Sequence, residues 1–316
     1  MKTSINVIPE CPIGEIVDLA VHAEELGFDR VWVYDEGLIT RDVHVVMAAI
    51  AAATTRIEIG PGITNPYTRH PGQTAAAIAS LDELSGGRAF YGIGAGGSLT
   101  LDPLALERRR PLAAVRDSIE VARGLFTGEP VDHEGEFAPL RAASLSYARP
   151  DIEIWLAGRG PRMLAMGGER ADGVMLDFIH KPSLGDYVDR VRSGGSARLC
   201  YSTAIVTDAD DLEFVRPHMT YRLVDSPPEV KDALGITDAD ADRIRSAMSG
   251  GLHAAAAHVP DEWVEPFVIR GTAPECGAEV RSIATTHGID EFLLPMFDMP
   301  DQHAYLGRVA TALGLS

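Results

Sequence analysis

The sequence predicts an α/β fold of the TIM (β/α)₈ barrel type, formed by a single domain that spans residues 1–316. Short runs rich in β-branched residues alternate with alanine-rich amphipathic stretches along the whole chain. This alternation is typical of a parallel sheet with helical crossovers. Eight strand–helix units in about 300 residues favour a closed barrel over an open doubly wound sheet.

Each element follows from a local pattern of apolar residues bounded by glycine or proline. The predicted strands are residues 5–8, 30–34, 56–59, 89–93, 152–156, 173–176, 199–206 and 291–294. Seven predicted helices are residues 13–26, 43–53, 74–84, 112–126, 184–191, 274–286 and 303–313, and a further helix begins at residue 161.

Two longer connections interrupt this alternation. Residues 127–150 are rich in glycine and proline, which predicts an irregular excursion with a small hairpin. Residues 212–267 have a mostly helical pattern and separate the seventh strand from the helix before the eighth. We therefore expect insertions after strands four and seven.

Charge and composition limit the classes of partner. The chain has 46 acidic and 28 basic residues and a net charge of −18, which disfavours nucleic acid and anionic membranes because both attract the opposite sign. The apolar run before Pro9 is too short for a signal peptide, and no stretch is apolar enough for a membrane span. Three widely spaced cysteines fit a reducing compartment. We therefore expect a cytoplasmic protein.

In a barrel of this type the loops after the strands carry the chemistry. Asp35 and Glu36 follow the second strand and could bind a ring edge, relay a proton or cap the next helix. Asp35 is the stronger functional candidate because it lies nearer the expected mouth. Residues 60–71 follow the third strand and contain two glycines and three prolines, which predicts a rigid, bent loop. A structural turn explains the start of this loop, but not the Ile63–Thr64–Asn65 segment.

The next two loops are rich in glycine. Residues 92–98 follow the fourth strand, where glycine lets the backbone approach a planar ligand or a phosphate. After the fifth strand, Arg159 stands between Gly158 and Gly160, just before Pro161. Glycines at a helix N-terminus favour an anion site, although an ordinary helix start has the same pattern. Histidines lack partners at ligand spacing, so we expect no metal site.

Together these loops resemble the F420-dependent branch of the bacterial luciferase-like superfamily, and within it the methylene-tetrahydromethanopterin reductases. The strongest block comprises residues 59–71 and 77–88, and residues 92–96 follow in register. Shorter likenesses occur at residues 25–32, 171–174 and 289–292. The likeness covers nearly the whole chain and is weakest between residues 208 and 267.

The resemblance implies an oxidoreductase that transfers a hydride between coenzyme F420 and an unidentified small organic substrate, in a homodimer. It also implies a cis peptide bond between Gly62 and Ile63 behind the deazaflavin ring. Asp35 and Glu36 would handle the proton. The cofactor-binding residues would be Asp35, Gly62, Ile63, Thr64, Asn65, Gly94, Ala95, Gly96, Gly158, Arg159 and Gly160.

Three departures from the reductases leave alternatives open. Asn6 and Gly97 occupy positions at which the reductases carry acidic residues, and Glu36 stands where many members have histidine. These differences put the pterin reductase activity and the identity of the proton donor in doubt. The alternatives are an FMN-dependent luciferase-like monooxygenase and a non-catalytic F420-binding protein.

Overall fold

Eight parallel strands form one sheet in the computed structural model, which describes residues 1–315. The strands are β1 (Lys2–Val7), β2 (Arg30–Val33), β3 (Glu58–Pro61), β4 (Tyr91–Ile93), β5 (Ile154–Ala157), β6 (Gly173–Asp177), β7 (Arg198–Ser202) and β8 (Glu291–Met296). Their order is β3-β2-β1-β8-β7-β6-β5-β4. Parallel bridges from Ile59 to Ala89 and from Thr64 to Ile93 join β3 to β4 and complete the ring. This confirms the predicted barrel.

Helices surround the ring on its outer side. They are α1 (Ile13–Glu25), α2 (Val43–Ala53), α3 (Pro71–Ser85), α4 (Pro111–Leu125), α5 (Pro161–Arg170), α6 (Leu184–Arg192), α7 (Ala273–His287) and α8 (Gln302–Leu313). Local chemistry fixes their ends. His70 Nδ1 accepts the N–H of Gly72 at the start of α3, and Gly86, at φ 71°, ends that helix in a left-handed conformation.

The barrel interior is filled in layers. At the N-terminal ends of the strands, the fully buried Arg30 forms ion pairs with Glu58, Glu153 and Glu291. On the side toward the C-terminal ends of the strands, aromatic rings pack on Arg30, and its guanidinium lies 4.4 Å from the centre of the Phe90 ring. An apolar cluster fills the interior from this layer toward the C-terminal ends of the strands, with Ile63 and Ala157 packed against it. Its buried members are Trp32, Phe90, Trp155, Met175, Cys200 and Leu293. A functional cavity can therefore form only above this plug.

The two long connections lie between β4 and β5 and between β7 and β8. The first contains α4 and an antiparallel hairpin of Val131–His133 with Leu140–Ala143. The second contains, before α7, five α-helices in the described residues: Ala209–Val224, Pro228–Leu234, Asp238–Ala247, Leu252–Ala256 and Asp261–Val264.

Most predicted elements are present with ends shifted by up to three residues, and two differences are larger. The strand predicted over residues 199–206 is wrong in its second half, because Ile205–Val206 leaves the barrel and pairs with Ile269–Arg270. Thr203, at the division, donates through Oγ1 to the carbonyl of Phe267. A short helix, Ser98–Leu101, also lies within the glycine-rich loop after β4, where the sequence indicated no helix.

Candidate active site

A cavity of about 270 Å³ opens at the C-terminal ends of the strands. Residues from the loops after β2, β3, β4 and β5 line it, so the four predicted loops converge on one space. The predicted residues that line it are Asp35, Glu36, Gly62, Ile63, Asn65, Ala95, Gly96, Gly158 and Arg159. Its lining also includes Met175 and Ala157, which belong to the upper part of the barrel interior.

Three predicted residues support the cavity without lining it. Thr64 donates through Oγ1 to Asp35 Oδ2 at 2.6 Å and so fixes that carboxylate. A Cβ added at Gly94 would lie 2.1 Å from Ile63 Cδ1, so glycine at this position makes room for the isoleucine side chain. Gly160 precedes α5, where the described residues provide no side-chain cap.

The loop after β3 rests directly on the barrel interior. The Gly62–Ile63 peptide bond is cis, as the family resemblance implies. Asn6, which is 1% exposed, donates from Nδ2 to the Gly62 carbonyl at 2.9 Å. Its Oδ1 is buried and has no hydrogen-bond partner within residues 1–315. An acidic residue at this position could donate a hydrogen bond to the Gly62 carbonyl only when its carboxyl group is protonated, whereas the amide of Asn6 donates without a charge.

Glu36 is a carboxyl group that can hold a proton. It is half-buried at the cavity and accepts a 2.8 Å hydrogen bond from Thr100 Oγ1. Burial raises the pKa of Glu36, and the hydrogen bond from Thr100 opposes that shift only in part. A carboxyl with a raised pKa next to a cavity is suited to general acid chemistry.

A buried ion pair at the same mouth was not predicted from the sequence. Asp177, at the end of β6, accepts from Arg222 Nη2 at 2.9 Å and from Ser202 Oγ at 2.8 Å. Arg222 belongs to the helix Ala209–Val224, and Arg159 Nη2 lies 3.9 Å from the same carboxylate. Burial alone would raise the pKa of Asp177, but Arg222 and Arg159 outweigh it and leave that pKa below its ordinary value. The network therefore ties the long insertion to the cavity.

Tyr34 also lines the cavity and carries a phenol that stays protonated. Burial raises the pKa of Tyr34 well above its ordinary value, and the carboxylate of Asp177 adds to this shift. The phenol of Tyr34 and the carboxyl group of Glu36, whose pKa is raised, therefore line the same cavity. His70, in contrast, caps α3 and is not among the residues that line the cavity.

A second polar cluster lies outside the cavity. Ligand atoms of Asp117, Glu120 and His133 lie within 4.8 Å of one another. Arginines already compensate the carboxylates, because Arg116 lies 2.9 Å from Asp117 and Arg170 lies 2.7 Å from Glu120. The cluster therefore offers little net negative charge to a cation.

These features define an α/β barrel protein with a cavity at the C-terminal ends of its strands, where such barrels carry their functional sites. The family model described as luciferase-like monooxygenase matches residues 3–291, and the chain belongs to this family.

In its described part, no helix combines the length and the apolar character that crossing a membrane requires.

Proteins described as F420-dependent oxidoreductases are among those to which the chain is similar. The chain is 32% identical over 298 residues to 5,10-methylenetetrahydromethanopterin reductase of Methanolobus tindarius, with 90% of each protein covered. It is 35% identical over 185 residues to F420-dependent glucose-6-phosphate dehydrogenase of Nakamurella multipartita, with 54% of each covered. The coenzyme F420-dependent tetrahydromethanopterin reductase of Methanopyrus kandleri superposes with a TM-score of 0.89 at 27% identity, covering 98% of this chain and 97% of that one. These findings confirm the resemblance.

Proposed function

We propose that this chain is an F420-dependent oxidoreductase that transfers a hydride between the deazaflavin and a small organic substrate. The observation that carries the proposal is the convergence of four strand-end loops on one cavity above a filled barrel. Relatives that cover 90% of the chain and a solved structure with a TM-score of 0.89 support the choice of cofactor.

The residues of the cavity fit a planar ring with a phosphorylated side chain. Asn65 Oδ1 accepts the N–H groups of Tyr67 and Thr68, which leaves its Nδ2 as a donor to the polar edge of a ring. The backbone of Ala95 and Gly96 would flank the ribityl chain. Gly96 has φ 71°, a conformation that favours glycine.

The phosphate would lie at Gly158, Arg159 and Gly160. A Cβ added at Gly160 has no atom of residues 1–315 within 4 Å, so the space before α5 is open to a ligand. The unsatisfied N–H groups of a helix N-terminus attract an anion, and Arg159 adds a positive charge at the cavity.

The chain's own residues would hold the ring and move a proton. When bound, the deazaflavin supplies the hydride chemistry. Ile63 and Met175 form an apolar floor that excludes water from one face of the cavity. Glu36 would hold the transferred proton on its carboxyl group, and Asp35, fixed by Thr64, would bind the ring edge or relay that proton.

Fluorescence titration with F420 and FMN, measured side by side, tests the proposal. We expect saturable quenching of F420 fluorescence at micromolar protein, and FMN affinity at least about tenfold lower. Arg159→Gln is expected to weaken F420 binding about tenfold or more, because a charge-assisted hydrogen bond contributes roughly 1.5–3 kcal/mol. The matched control is Arg162→Gln, an exposed arginine that is not part of the cavity lining.

Three results would contradict particular parts of the proposal. Absence of F420 binding at micromolar concentration would remove the cofactor assignment. Tighter binding of FMN would favour the monooxygenase alternative instead. Tight F420 binding with no hydride exchange against any acceptor would indicate a non-catalytic F420-binding protein.

We also propose that the chain forms a homodimer through α2 and α3. Ten of the eleven residues of α2 are apolar, and Val45 on this helix is 56% exposed. Leu84 on the neighbouring α3 is 57% exposed. A helix that is apolar on every face is ordinarily buried, so a second copy would cover this surface.

Light scattering after size-exclusion chromatography measures this assembly. Val45→Asp is expected to convert the dimer into a monomer, because a charge would be buried at the interface. Tyr147→Asp, at a site that is 45% exposed and belongs to neither helix, is the control and should remain dimeric. A monomeric wild-type protein would disprove the assembly.

We further propose that residues 1–316 act as one domain in the cytoplasm. The first and last strands, β1 and β8, are paired along their length, so neither half of the chain can close the barrel alone. In the described chain, Cys11, Cys200 and Cys276 are free thiols, and Cys200 and Cys276 are buried, which suits a reducing compartment.

A further inference from the structure

A second cavity of about 480 Å³ lies beside the first. The linings of both include Glu36, Gly97 and Arg159, so these three residues form the boundary between the two cavities, here called the neck. A Cβ added at Gly97 has no described atom within 4 Å, so this part of the neck is open.

The insertion between β7 and β8 supplies much of the second cavity. The helix Ala209–Val224 contributes Tyr221 and Val224, and the helix Asp238–Ala247 contributes Arg245. This insertion is the region in which the resemblance to the reductases is weakest. A specificity-determining surface is expected in such a region, because the barrel supplies the chemistry while the loops and insertions vary.

Three guanidinium groups and two carboxyl groups line this cavity. Arg108, Arg159 and Arg245 line it, against the carboxyl groups of Asp225 and Glu36. Guanidinium groups gathered at one cavity of a chain with a net charge of −18 provide N–H donors and local positive charge for an anion.

The two new arginines retain donors for a ligand. Arg108 uses Nη1 to donate to the Gly96 carbonyl at 3.1 Å. Arg245 uses Nη1 in an exposed pair with Asp242. A guanidinium has five N–H donors, so each residue can still bind a carboxylate or a phosphate. The side chains of Leu99 and Met248 add apolar surface to the same cavity.

We propose that the second cavity is the substrate subsite and that it binds an organic anion, a carboxylate or a phosphate ester carried on an apolar body. Arg108 and Arg245 bind the anionic group, and the reacting carbon faces the neck beside Glu36. This inference rests on the proposed F420-dependent function and adds the chemical class of the substrate.

Calorimetric titration of the F420-loaded protein tests the inference. The probes are hexanoate and hexyl phosphate, with hexanamide and hexanol as uncharged counterparts of similar length. The anions are expected to bind at least about tenfold more tightly than their counterparts. Arg245→Gln is expected to remove most of this preference, because one charge-assisted interaction is lost.

Arg243→Gln is the matched control for Arg245→Gln. Both arginines lie on the same helix, both are 57% exposed, and each pairs with an aspartate three residues earlier. Arg243 contributes to a different cavity, so its replacement should leave the anion preference unchanged. Equal losses in the two variants would show a general surface-charge effect and would overturn the inference.

The anionic side chain of the cofactor is a second source of the same chemistry. The titration is therefore repeated with protein saturated with the deazaflavin ring and ribityl chain alone. The substrate assignment predicts similar hexyl phosphate affinity with either cofactor form. Affinity that appears only with the truncated form would assign the cavity to the cofactor tail and overturn the inference.

The two proposals fail in distinguishable ways. If F420 does not bind, the proposed function fails. If F420 binds but neither anion is preferred over its counterpart, only the substrate class fails.

Discussion

Replacing Arg222 with methionine tests how the long insertion is attached to the cavity. Arg222 is 3% exposed, its Nη2 lies 2.9 Å from Asp177 Oδ2, and its Nη1 donates to the His218 carbonyl at 2.7 Å. Removing one partner of a buried ion pair leaves an uncompensated charge and costs about 3–5 kcal/mol. Two features of Asp177 favour the lower end, because 26% of its side chain is exposed and Arg159 lies 3.9 Å away.

We therefore expect Arg222→Met to lower the free energy of unfolding by about 3 kcal/mol at pH 7. The double variant Arg222→Met/Asp177→Asn removes both charges and should recover at least about 2 kcal/mol of the summed single losses. Urea unfolding of the wild type, the two single variants and the double variant measures this coupling. A loss below about 1 kcal/mol for Arg222→Met, or additive single losses, would refute the reasoning.

Three further predictions concern the site and the barrel base. Asn6→Asp should lower the free energy of unfolding by roughly 3 kcal/mol at pH 8, because a carboxylate would face the Gly62 carbonyl. The resulting decrease in the urea midpoint should become smaller toward pH 5, where the new carboxyl group gains a proton. A decrease that does not change with pH would contradict this prediction. Glu153→Gln should lower the free energy of unfolding at pH 7 but have nearly no effect on it near pH 2. Burial would raise the pKa of Glu153, but Arg30 lowers it from 4.5 to about 2. The stabilisation by this carboxylate is therefore complete above pH 4.5 and is lost as the pH falls toward 2. Equal urea midpoints at pH 7 would contradict this. Glu36→Gln should slow turnover of an accepted substrate by roughly 100-fold or more and leave F420 affinity unchanged. The wild type should lose activity as the pH rises through the raised pKa of Glu36, and the variant should not show this loss. An unaltered pH profile would exclude Glu36 as the proton donor.

The barrel was predictable because its signal is local and repeated. Eight apolar runs followed by eight amphipathic stretches leave few arrangements, and the ends of parallel strands must meet at one face. The division after Ser202 was not predictable in the same way. Ile205 leaves the barrel to pair with Ile269, which is supplied by a segment more than 60 residues away.

The candidate site was predictable only where glycine or charge marked a strand end. Asp35, Asn65 and Arg159 follow strands directly, and the structure brings them to one cavity. Arg222 had no such mark, because its role depends on how a later helix docks over the mouth. Gly94 also has a packing role that the sequence did not indicate, because its missing side chain makes room for Ile63.

A crystal structure of the protein with bound F420 tests the central claim most directly. We expect the deazaflavin ring to lie against the Gly62–Ile63 peptide and the phosphate to lie at Gly158–Gly160, with the second cavity still open beside Glu36. Electron density for the cofactor away from these loops, or a ring that does not contact residues 62–65, would contradict it.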